Sequence, residues 1–111
     1  MLPWFLSPSA RLDLLSHWDY FTQTAGDEEL ANRFARQARL SFQTIARKPG
    51  LGRLVFSGHP TLSEIRQWRV DGFPNLLIFY RETSGEVEIA RVIHGARNLD
   101  VVLGGSDGIE E

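Results

Sequence analysis

The sequence predicts an α+β fold, a helical hairpin packed on an antiparallel sheet, and three observations predict it. Leu30, Phe34, Ala38, Phe42 and Ile45 recur with the period of one helical face. Ala10, Leu14, Trp18 and Phe21 repeat that period in an earlier, shorter stretch, at i, i+4, i+8 and i+11. Towards the C-terminus the pattern changes to that of strands. Asn75–Glu82 is an apolar, aromatic-rich run, Val87–His94 alternates, and Thr83-Ser84-Gly85-Glu86 between them can turn the chain, with Gly85 supplying the positive φ a short hairpin loop needs.

The elements follow in order. Leu2–Leu6 is long enough for one strand and is stopped by Ser7-Pro8. Ser7 is placed as an N-cap and Pro8 in the first helical turn, where its missing N–H costs nothing. The first helix then runs from about Pro8 to Thr22, with Leu15 broadening its apolar face and Arg11, Asp13, Ser16 and Asp19 falling mostly elsewhere. Thr24-Ala25-Gly26 breaks it. Asp27 is the next N-cap, and Glu28-Glu29 put negative charge at the positive end of the second helix dipole. That helix carries Ala31, Leu40 and Ala46 beside its main stripe, with Arg33, Arg36, Arg39 and Gln43 opposite. It ends in Arg47-Lys48 before Pro49-Gly50. Leu51–Thr61 reads as a loop and Leu62–Val70 as a strand, with Ile65 on one face and Arg66, Trp68 and Val70 on the other. Asp71-Gly72-Phe73-Pro74 is a turn. After the central hairpin, Asn98–Leu103 reads as a short closing helix.

A chain of 111 residues is one domain, assigned to residues 1–103, with 104–111 a flexible acidic tail. Removing the three tail acids leaves 12 basic residues against 11 acidic ones, a net +1 on the folded body. A protein that grips a phosphate backbone is usually clearly basic, so strong direct nucleic-acid binding is disfavoured. No apolar run reaches the roughly 18 residues of a membrane span. MLPWFLSPSARL lacks the basic start of a signal peptide. The absence of cysteine excludes disulfides, thiolate metal sites and a thiol nucleophile, and fits a cytoplasmic protein.

Arg66, Arg69, Arg81 and Arg91 lie on the predicted strands, with His94 and Arg97 where the last one ends. One reading makes them solvated charges with apolar stems packed down. The sharper reading is a concave site for an anion or a partner, with Arg66, His94 and Arg97 approaching across adjacent strands on the sheet face the helices leave free. His94 is of a residue type that can serve as a general acid or base. His17 and His59 stand alone, and no metal site is expected. Asp13, Asp19, Glu28 and Glu29 are read as helix-surface and cap charges. No phosphate-binding loop or nucleophile motif is present, and no cofactor is expected. The aromatic residues, Trp4, Phe5, Trp18, Phe21, Phe34, Phe42, Trp68, Phe73, Phe79 and Tyr80, exceed what a small two-layer core encloses, and surplus apolar surface marks a partner site.

The segment IFYR…VEIARVIHGARN resembles the C-terminal signature of ParE toxins, within the RelE/ParE superfamily of bacterial toxin–antitoxin modules, some of them plasmid stabilisation systems. The resemblance extends upstream through SPSARLDLLSHWDYF, the long helix ending in KPGLG and the IRQW segment, over roughly residues 5–103. It implies an N-terminal strand, a helical hairpin on a three- to four-stranded antiparallel sheet and a short last helix. Relatives of the RelE type cut mRNA on the ribosome, using Lys, Arg, Tyr or Glu/His side chains around the scissile phosphate. Here the last strand ends in His94-Gly95-Ala96-Arg97 without a tyrosine, Tyr80 lies one strand earlier, and Lys48 is the single lysine. These departures point to the ParE branch, whose members bind and poison DNA gyrase without catalysis. A ribosome-dependent endoribonuclease, or a non-toxic relative that only binds an antitoxin, is the alternative. The resemblance implies two partners, gyrase and a cognate antitoxin, with homo-oligomers or hetero-oligomers with the antitoxin. Candidate target-binding residues are Arg66, Arg69, Tyr80, Arg81, His94 and Arg97. Leu15, Trp18, Phe21 and Trp68 are candidates for the antitoxin, which in the family lays a strand or helix into such grooves.

Overall fold

The computed structural model describes residues 1–95. The order is β1 (Trp4–Leu6), α1 (Pro8–Asp19), a π-type turn (Tyr20–Thr24), α2 (Glu28–Arg47), a 3-10 turn (Pro49–Leu51), β2 (Arg53–Leu54), β3 (Arg66–Val70), β4 (Phe73–Thr83) and β5 (Glu86–His94). The expected closing helix, the tail and Arg97 lie outside the described residues.

The two helix starts form as their capping residues dictate. The Ala10 amide donates to Ser7 Oγ at 3.0 Å, and the Leu30 amide donates to Asp27 Oδ1 at 2.9 Å. The first helix ends three residues earlier than predicted, at Asp19, and the chain continues in the π-type turn. α2 buries Ala31, Phe34, Ala38, Ser41, Phe42, Ile45 and Ala46. Leu40, expected beside that stripe, is 51 % exposed. It falls on the arc that α2 turns away from the sheet.

The sheet has five strands in the order β1-β5-β4-β3-β2. It is mixed rather than antiparallel, because β1 pairs with β5 in parallel. The β4–β5 hairpin turns through Ser84 at φ 53° and Gly85 at φ 79°, with Thr83 facing Glu86. Two consecutive positive φ values define the tight hairpin turn whose twist matches the strands. The predicted 62–70 strand is shorter: only Arg66–Val70 is extended. The predicted 51–61 loop contains the end of the 3-10 turn and the two-residue β2.

The main core lies between the helices and one sheet face. It joins Ala10, Phe34, Phe42 and Ile45 to Val70, Ile78, Tyr80, Val87, Ile89 and Val92. The other face is not free, contrary to expectation. Leu62 and Ile65 pack there on Phe79 and Ile93, with Val55 and Phe56 alongside. This is why Leu62–Ile65 leaves the strand: its apolar side chains cover the sheet instead of extending it. The strict alternation predicted for β5 also fails. Phe79 faces Arg91 while Tyr80 faces Ile89, so Ala90 is an extra residue in the ladder, a β-bulge. The bulge moves Val92 into the core with Val87 and Ile89, and Ile93 onto the opposite face.

Candidate functional site

β1 ends at Leu6, opposite Ile89, so among the described residues the edge of β5 from Ala90 onward has no strand beside it. Three polar side chains of the α1 segment satisfy it instead. Ser7 Oγ donates to the Ala90 carbonyl at 2.8 Å, the Val92 amide donates to Asp13 Oδ2 at 2.9 Å, and His17 Nε2 donates to the Val92 carbonyl at 2.8 Å. Asp13 also takes a two-pronged contact from Arg91, Nε to Oδ2 at 2.7 Å and Nη2 to Oδ1 at 2.9 Å. Asp13 holds the Arg91 guanidinium above its ordinary pKa, chiefly through that hydrogen bond. Asp13 is therefore a lock between α1 and the sheet, not the free surface charge the sequence suggested. The side of α1 turned to the sheet is Ala10, Asp13, Leu14 and His17, and Phe21 of the π-type turn continues it. A helix stripe mixing Asp and His four residues apart with apolar residues was a readable signal that polar backbone waited opposite.

His17 also borders a cleft of about 560 Å³ between the π-type turn and the β3–β4 turn, with Tyr20, Phe21, Phe73, Leu76 and His94. Two of its lining residues, Phe21 and Phe73, pack against each other and against buried Phe34, with ring centroids 5.4 to 5.8 Å apart. Of the residues around it, the sequence had singled out Phe21 and His94 as site candidates and set His17 aside.

Arg66 and His94, the described members of the predicted anion site, are not brought together. Arg66 sits opposite Tyr80 on β4, whereas His94 sits opposite Leu76 on that strand's other side. The two are two strands apart, with β4 between them, and offset by four residues, about 13 Å along the sheet. Arg66 Nη1 donates to the Gly52 carbonyl at 2.8 Å. Tyr80 is fully buried: its hydroxyl accepts from the Gly52 amide and donates to the Pro49 carbonyl, each at 2.7 Å. Burial raises its pKa, and the Gly52 bond and nearby Arg66 oppose the rise. Tyr80 thus clamps the chain leaving α2 and presents nothing to a partner. Arg69 is exposed and stacks on Trp68 at 5.5 Å, and Arg81 pairs with Glu88 across the hairpin at 2.8 Å.

The predicted apolar set is divided as well. Leu15 is 55 % exposed on α1, Trp18 is half-buried on the same helix, and Phe21 is half-buried in the π-type turn. Trp68 lies on β3, two strands from the β5 edge that α1 covers, and packs at the margin of the main core.

Three comparisons bear on this architecture. The family model described as "ParE toxin of type II toxin-antitoxin system, parDE" matches residues 5–99. Toxin ParE1 of Caulobacter vibrioides is 33 % identical over 104 residues, covering 94 % of this chain and all of that one. A chain of the solved chromosomal ParDE TA system from P. aeruginosa superposes with a TM-score of 0.63 at 20 % identity, over 85 % of this chain and 96 % of that one. This last likeness is one of fold.

Proposed function

The chain belongs to the ParE toxins of type II toxin–antitoxin systems, and we propose that it acts in the cytoplasm by binding and inhibiting DNA gyrase and is neutralised by a cognate antitoxin. The observation that favours binding over RNA cleavage is the fate of Tyr80. Its hydroxyl is sealed between Pro49 and Gly52, and the strand position of His94 is offset from that of Arg66 by four residues, about 13 Å along the sheet. A general acid or base must reach the atom it serves within hydrogen-bond distance; Arg66 and Tyr80 meet only at the backbone of Gly52, where both are engaged, and His94 does not join them. No helix among the described residues is long and apolar enough to cross a membrane.

The antitoxin is assigned to the outer side of α1, where Leu12 and Leu15 are 66 % and 55 % exposed beside half-buried Trp18. Solvent-facing leucines one helical turn apart suit an amphipathic partner segment. Leu15→Glu is expected to weaken antitoxin pull-down strongly while the thermal midpoint stays unchanged. Undiminished pull-down would move the interface elsewhere.

The deciding experiment is induction of the chain in a bacterial host, with plasmid supercoiling and mRNA integrity followed in the same cells. Lost supercoiling with intact mRNA is the expected result. Codon-phased mRNA cuts with normal supercoiling would replace this reading with the endoribonuclease. Normal growth with both readouts normal would leave a relative that only binds an antitoxin.

A further inference from the structure

The charge of this chain is laid out unevenly. From Leu30 to Ser63 there is no Asp or Glu, yet the stretch carries six of the 12 basic residues: Arg33, Arg36, Arg39, Arg47, Lys48 and Arg53. A chain of net charge −2 therefore contains a run of net +6. α2 gathers much of it on one surface. With Phe34, Ala38, Phe42 and Ile45 buried, Arg36, Arg39 and Arg47 are turned to solvent. At 100° per residue these three fall within about 80° of one another around the axis, and they span about 16 Å along it. Leu40 lies on the same arc, 51 % exposed. The ion pairs among the described residues are Arg81–Glu88 and Arg91–Asp13, so none of the three is paired with a described acid. Arg33 differs. It lies over the Phe73 ring at 5.2 Å and shares a recess with Asp27 and Glu29, which Arg36 also lines without an ion pair to either.

We propose that the outer face of α2 is a docking surface for an acidic peptide segment of a partner protein. Carboxylates of that segment engage Arg36, Arg39 and Arg47, and one apolar side chain covers Leu40. Arginine favours this occupant because its planar fork takes a carboxylate through two parallel hydrogen bonds. Leu40 favours a peptide over nucleic acid, since an aliphatic side chain amid the cations offers nothing to a phosphate. The acids elsewhere on the chain repel an extended polyanion, whereas a short segment stays within the positive arc, given a screening length of about 8 Å at physiological salt. The proposal does not depend on the gyrase reading.

The test uses the full chain and two fluorescein-labelled probes. One is a synthetic helical peptide with glutamates at i, i+3 and i+4 around a single leucine, and the other is a duplex DNA of mixed sequence. Fluorescence anisotropy is expected to show peptide binding that weakens as salt rises. The double variant Arg36→Glu/Arg39→Glu should lose roughly tenfold or more in affinity, and Leu40→Ala should lose a smaller factor. Arg11→Glu, on the exposed side of α1, should bind as the parent does. Circular dichroism checks that each variant is folded. Three outcomes overturn the proposal: no peptide binding by the parent, an equal loss in Arg11→Glu, or tighter binding of the duplex than of the peptide.

Discussion

Asp13→Ala tests the lock between α1 and the edge of β5. The carboxylate accepts two bonds from Arg91 and one from the Val92 amide. The substitution leaves both donors without that partner. Breaking a fully buried ion pair costs about 3–5 kcal/mol. Here the side chains of Arg91 and Asp13 retain 20 % and 12 % of their exposure, so the guanidinium regains some water. The Val92 amide, inside the sheet edge, costs about 1–3 kcal/mol if left unsatisfied. Together these predict a loss of about 2–4 kcal/mol, read as a lower urea midpoint at unchanged slope. Asp13→Asn keeps one oxygen for Val92 and forfeits the charge, so it should fall between the parent and Asp13→Ala. The freed edge of β5 should also promote self-association, visible as concentration-dependent light scattering. A midpoint shift for Asp13→Ala worth less than about 0.5 kcal/mol would mean that α1 is held by its apolar contacts alone, and the role given to Asp13 would be wrong.

Two further substitutions test the clamp behind α2. Tyr80→Phe leaves the Gly52 amide and Pro49 carbonyl unpartnered and should cost about 1–3 kcal/mol in urea unfolding. The same hydroxyl makes stability pH-dependent. Its folded pKa is raised, so its contribution is fully present below the unfolded value of about 10 and is lost as pH rises through the folded value. The alkaline fall in thermal midpoint should therefore be smaller in Tyr80→Phe, and equal falls would count against the assignment. Gly52→Ala would place a Cβ 2.6 Å from the Gln67 carbonyl and 2.7 Å from the Tyr80 hydroxyl. It should destabilise by about 2 kcal/mol or more, whereas Gly50→Ala, with nothing within 4 Å, should unfold close to the parent.

Much of the fold was legible because it rests on local rules. The stripe of α2, the caps Ser7 and Asp27 and the turn at Ser84-Gly85 each depend on residues a few positions apart. Near neighbours set helix period, cap geometry and turn dihedrals. The candidate site was less legible. Arg66 and His94 are close in pattern but sit opposite Tyr80 and Leu76, and strand register decides such distances. Tyr80 resembled an available phenol until the 49–52 segment was found folded over it.

The sequence by itself determined the α+β class, the helical hairpin and the central β-hairpin, because periodicity and turn chemistry act within single segments, and its motif segments carried the resemblance to ParE toxins. Only the tertiary structure decided what those segments meet. It set β1 beside β5 in parallel, placed the bulge at Ala90, closed Leu62 and Ile65 over the second sheet face and aimed Asp13 and His17 at Val92. Each of these satisfies a backbone edge or an apolar surface supplied by a distant part of the chain. The physical reason is that the free energy of burying a carboxylate or an aromatic ring depends on the group waiting opposite. In this chain that group can lie far along the sequence, as Val92 lies 79 residues from Asp13.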